Sequence, residues 1–127
     1  LETLDRANEA IADPKSDLTR FLQANVDWHV GVAMASHNEL LIGFMTALSQ
    51  AIYAGTENAS FIDATVREVT ARAHKSITRA IRERDAEAAG RRMRRHVHTY
   101  ASAALKVDQR DSISVGDPSP TVNTVDD

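Results

Sequence analysis

Three histidines, His29, His74 and His96, each stand in the middle of a helix-forming stretch, and their spacing brings them to one height. A turn signal at Arg84-Asp85 divides the stretches that carry His74 and His96, and each of these two lies eleven residues from Asp85. Folded back as an antiparallel hairpin, the two imidazoles end level, roughly 16 Å from the turn at ~1.5 Å rise per residue. His29 is about twelve residues into its own helix and His74 about thirteen into its own. In an up-down-up-down order those two helices run parallel, so all three rings meet in one layer. Three imidazoles plus an oxygen donor suit Zn²⁺, Ni²⁺, Mn²⁺ or a similar ion and leave positions open for water or a ligand. The competing reading has each histidine separately hydrogen-bonded or exposed to solvent.

Asn25 strengthens the first reading. It is one helical turn from His29, within the apolar stripe of Leu18, Phe21, Leu22 and Val32, where an unpaired amide or imidazole would cost a few kcal/mol. The remaining candidates fall away. His98 is two residues from His96, some 200° around the helix in two steps of ~100°, and Asp27 stands in the same relation to His29. His37 sits at a helix end beside Asn38 and reads as a surface or capping residue. Along the histidine stripes, Arg67 and Thr70 precede His74, and Thr99 and Tyr100 follow His96. These four would line the cavity. An inward guanidinium beside a metal with vacant positions is what a carboxylate ligand requires; the alternative for Arg67 is a surface salt bridge.

These residues need helices to position them, and helices are what the pattern gives. The first covers about 2–11 and stops at Asp13-Pro14, since proline disfavours helix in the residue before it. Ser16 or Asp17 caps the second, which carries Leu18, Phe21, Leu22, Asn25, Trp28, His29 and Val32 on one stripe and ends near His37. Asn38 caps a third over 39–54, with Leu41, Met45, Leu48 and Ile52 in register and Gly55 as the stop. A loop over 56–60 precedes a fourth helix over 61–83, with Ile62, Val66, Val69, Ala73, Ile77, Ala80 and Ile81 inward. Asp85 caps the fifth, 86–106. The expectation is an all-α, antiparallel up-and-down bundle over 1–107. A flexible tail over 108–127 follows, since apolar periodicity vanishes there and Ser, Pro, Gly, Asp and Thr dominate from Ser112.

Bulk composition narrows the function. The 127 residues make one domain. A net charge of −3 argues against nucleic-acid binding by bulk electrostatics. The one basic cluster, Arg91-Arg92-Met93-Arg94-Arg95, spreads around its helix and reads as a solvated face. With no cysteine, any metal must be held by nitrogen and oxygen. No apolar run approaches the ~20 residues that span a bilayer, and the charged, amphipathic start at Leu1 is no signal peptide, so a cytoplasmic protein without membrane contact is expected. The opening on Leu1 in mid-helix register reads as a piece of something longer.

The segment Asn25-Val-Asp-Trp-His29-Val-Gly-Val-Ala-Met-Ala-Ser-His-Asn38-Glu-Leu-Leu41 resembles a stretch of the C-terminal ligand-binding domain of GntR-type bacterial transcription regulators, the FCD domain of the FadR subfamily. Ala73-His74-Lys-Ser-Ile77-Thr-Arg-Ala80-Ile81, Asp85-Ala86 and Met93-Arg-Arg-His96-Val97 are similar to that family's second and third motifs, and together the matches cover most of residues 2–106. The resemblance implies a helical bundle that binds a divalent metal and a small effector, often a carboxylate, and forms a homodimer. It carries the metal ligands to His29, His74 and His96, with the family's acidic ligand position falling on Asn25. Asparagine is neutral and offers only a carbonyl oxygen, which weakens the metal site and leaves its net charge higher. It also leaves open that the effector meets the histidines directly. The family's winged helix-turn-helix DNA-binding domain and first bundle helix have no counterpart in these residues, so DNA would be contacted only through that N-terminal domain.

The function expected is thus a non-enzymatic sensing and dimerisation domain of a metabolite-responsive regulator. Two rival classes remain. A metal-dependent hydrolase would use the three-His site to activate water, but no carboxylate lies one turn from any of the three histidines to act as base. A purely structural dimerisation module would use the histidines only as hydrogen-bonding groups.

Overall fold

The computed structural model describes residues 1–57 and 64–114. It contains five helices, α1 (Glu2–Ala12), α2 (Leu18–Ala35), α3 (Glu39–Glu57), α4 (Ala64–Arg82) and α5 (Ala86–Ser114), and no strand among the described residues. The all-α reading holds. The capping residues are those the sequence marks. Asp17 accepts a 2.8 Å hydrogen bond from the Arg20 backbone N–H, Asn38 one of 3.1 Å from Leu41, and Asp85 one of 2.8 Å from Ala88, each satisfying an amide that the first helical turn leaves open.

The turn between α4 and α5 is built from two overlapping devices. Arg84 adopts a left-handed backbone (φ 58°), its N–H bonds the Ile81 carbonyl, and the Asp85 N–H reaches back to Ala80. That is a Schellman closure of α4, and its last residue, Asp85, is at once the N-cap of α5. Two residues thus reverse the chain and set the register of His74 against His96.

The helices pack in the spatial order α3, α2, α1, α4, α5, each against the next, with only a light direct contact between α2 and α4. α1 is therefore a wedge. Its buried stripe of Leu4, Ala7, Asn8 and Ile11 faces Phe21, Leu22, Ala24 and Trp28 of α2 on one side and Ala71 and Ile77 of α4 on the other. Tyr53 of α3 and Tyr100 of α5 pack against the same core.

Several boundaries differ from the pattern. Gly55 does not end α3, which runs to Glu57. It keeps an ordinary helical φ, and the Tyr100 hydroxyl lies 3.1 Å from where a Cβ would stand. Close approach, not a stop, is what glycine permits here. α5 continues through 108–114 without apolar periodicity, because extending an existing helix costs little. The rest of the expected tail, like 58–63 of the third loop and fourth helix, lies outside the described residues. Val69, expected inward, is 44 % exposed; the buried residues of α4 are Thr70, Ala71, His74, Ile77, Thr78 and Ala80. Leu41 and Leu48 are also substantially exposed.

Candidate metal centre

The three histidines converge. His74 Nε2 and His96 Nε2 are 3.1 Å apart, and one ring nitrogen from each of His29, His74 and His96 lies within 4.8 Å of the others. His29 comes from α2, His74 from α4 and His96 from α5, so three helices supply one imidazole each. His74 is fully buried, and the other two are partly covered. Burial pushes the His29 ring down to about 4, helped by repulsion from His96. His74 is held well below the usual imidazole range by burial first and by its two neighbours second, and His96 is lowered by burial. At neutral pH all three are uncharged, with a lone pair each. That is the protonation state a metal ligand needs.

The donor set fits a first-row divalent ion. Two nitrogens ~2.1 Å from one ion and at right angles to it stand ~3 Å apart, close to the His74–His96 separation. The group contains no sulfur, as the absence of cysteine dictates.

Other expected positions divide. Asn25 is buried one turn before His29, inside the core-facing stripe of α2. Thr70 is buried, and its hydroxyl donates to the Val66 carbonyl. The Arg67 guanidinium donates to the Ser16 carbonyl at 3.0 Å and lies 5.0 Å over the Phe21 ring. Tyr100 is half-buried against the core, whereas Thr99 is exposed. His98 and His37 are exposed, and Asp27 is exposed and accepts from Gln23. As the spacing requires, none of the three joins the cluster.

Sequence reasoning placed Trp28 in the core but missed its role. The indole lies flat on His74, with ring centroids 3.7 Å apart and planes 2° from parallel. Its Nε1–H donates to Thr78 Oγ1 at 3.0 Å, and Asn8 Nδ2 donates to the same oxygen at 2.9 Å. The signal that could have found Thr78 is its place one turn after His74. Asn8 was visible as an amide among Leu4, Ala7 and Ile11, but nothing local says which helix it meets.

No curated protein and no solved structure matches the chain. The model of the FCD domain matches residues 1–99, which include all three histidines and the core of all five helices. Helical bundle, histidine spacing and family match agree, and the chain belongs to the FCD family, the C-terminal effector-binding domains of GntR-family regulators.

Proposed function

We propose that this regulatory domain senses a small carboxylate through a divalent metal held by His29, His74 and His96, with the Asn25 carbonyl as a further oxygen donor. The observation that carries the reading is the convergence of three neutral imidazoles from three helices on one point. Three protein nitrogens leave positions open on zinc, nickel or manganese, and an anionic effector can complete them. Arg67, Thr70, Thr99 and Tyr100, on the same helices, are proposed to shape its pocket, with the Arg67 charge, steadied by Ser16 and Phe21, favouring an anion. The effector then shifts helix packing and reorients DNA-binding domains joined to this one, in the cytoplasm and without catalysis. Only a few kcal/mol of differential affinity are needed.

Calorimetry tests this directly. Nickel should bind one equivalent per chain, and citrate or malate should bind the nickel-loaded domain far more tightly than the chelator-stripped one. A parent chain that takes up no divalent metal refutes the reading. Equal citrate affinity with and without nickel removes the metal from effector binding.

We further propose that two copies associate through α3. That helix carries no charge between Glu39 and Glu57, and among the described helices it packs chiefly against α2, with Gly55 near its end close to Tyr100 of α5. Leu40 is 84 % exposed and Phe44 58 %, with Leu41 and Leu48 beside them. A patch of that kind, on the order of 400 Å², exceeds scattered surface apolarity, and it supplies about half of the ~800 Å² per partner that a stable interface buries. A single such stripe is self-complementary about a two-fold axis. Phe44→Glu should convert the dimer to monomer in sedimentation equilibrium while leaving the helical content unchanged; a variant that remains dimeric places the interface elsewhere.

A further inference from the structure

Histidine ligands are ordinarily fixed by a hydrogen bond from the nitrogen that does not face the metal, given to a carboxylate, a carbonyl or a water. Among the described residues His74 has no such tether. Its Nε2 faces His96, and its Nδ1 is buried with no partner. The rotation of an imidazole about its Cβ–Cγ bond is soft, so something else must hold the plane of this ring.

The stack supplies it. With the indole of Trp28 parallel at 3.7 Å, the plane of His74 is fixed, and any tilt out of it loses face contact. The indole is itself pinned at its far edge, where Nε1–H meets Thr78 Oγ1. Thr78 stands one turn after His74 on α4, so Trp28 of α2 is gripped by two consecutive turns of the ligand's own helix. The hydroxyl is in turn held by Asn8 of α1. Thr78 and Asn8 are 2 % and 6 % exposed, so bulk water does not substitute for either bond.

We propose that Thr78 and Asn8 are positioning residues for the metal centre, acting through Trp28, whose stacked indole sets the orientation of His74. This rests on the metal reading above and adds to it a physical link from the centre to α1. Neither residue touches the ion. Loss of the Thr78 hydroxyl releases the indole edge and strands two buried donors, the Trp28 Nε1–H and the Asn8 amide.

The experiment compares the parent, Thr78→Val, Thr78→Ser and Asn8→Leu, each first verified as folded by circular dichroism. Zinc affinity is measured by competition with a chromophoric chelator, and nickel quenching is read on Trp28, the chain's one tryptophan. Thr78→Val should weaken zinc by ~10–100-fold, the range for lost support around a ligand, and shift the emission of Trp28 in the metal-free protein. Thr78→Ser keeps the hydroxyl and should restore both. Should Thr78→Val not fold, Asn8→Leu is expected to weaken zinc in the same direction with a smaller shift in emission. Folded Thr78→Val, or in its place folded Asn8→Leu, with parental zinc affinity overturns the clamp while the metal reading stands. A parent that binds neither zinc nor nickel removes the metal reading, and the clamp with it.

Discussion

Zinc at a hundredfold excess over its dissociation constant should raise the unfolding free energy of this domain by ~2.7 kcal/mol, and His74→Ala should abolish the rise. The expectation follows from linkage: an ion that binds only where three helices meet stabilises only the folded chain. His74 is the choice for removal because it is the fully buried member and is within 3.1 Å of His96. The substitution also perturbs the metal-free protein, in two opposed ways. It leaves a void against Trp28, which destabilises by a few kcal/mol. It also deletes a desolvated ring whose Nδ1 has no partner among the described residues, which returns ~1–3 kcal/mol. The informative quantity is therefore the difference with and without zinc within each variant, read from urea unfolding. A His74→Ala protein that still gains the full increment would place the ion elsewhere.

Acidification should destabilise the metal-free domain well above the pH at which surface carboxylates titrate. The sign follows from the lowered imidazole values. Above pH 6.5 the histidines are neutral in both folded and unfolded chains, and stability is at its full value. Below it the unfolded chain binds protons that the buried rings refuse, so stability falls until the folded value is reached, about 4 for His29. His29 alone accounts for about 2 kcal/mol by pH 5 and on the order of 3 kcal/mol by pH 4. His74 and His96 act in the same direction. Urea midpoints at pH 7.5 and 5.0 should differ accordingly, and His29→Gln should flatten the dependence. Equal midpoints for the parent would mean that the rings protonate freely in the folded state.

The histidine cluster was legible because helical rise is constant and the turn carries its own signal. Eleven residues on either side of Asp85 fix a height whatever the packing, and the Arg84 turn made that arithmetic valid. The caps at Asp17, Asn38 and Asp85 were legible for an equally local reason. What escaped depends on which helix lies beside which. Periodicity shows that Asn8 is inward but not that α1 wedges between α2 and α4, and so the bond to Thr78 could not be anticipated. Gly55 illustrates the same limit: a glycine near a helix end is a stop or a close approach, and only the position of Tyr100 decides. α3 shows another. Its pattern of Leu41 and Leu48 identifies an apolar face, but the chain alone leaves that face substantially exposed.

The two-residue reversal at Arg84-Asp85 bears on how the domain assembles. His74 and His96 are brought together by a hairpin only 22 residues long between them, a contact of low sequence separation that costs little loop entropy and forms early in folding. His29 arrives only when α2 docks, through a much longer closure. The facing of His74 and His96 thus depends on a local reversal alone, whereas the approach of His29 depends on closure of the whole bundle.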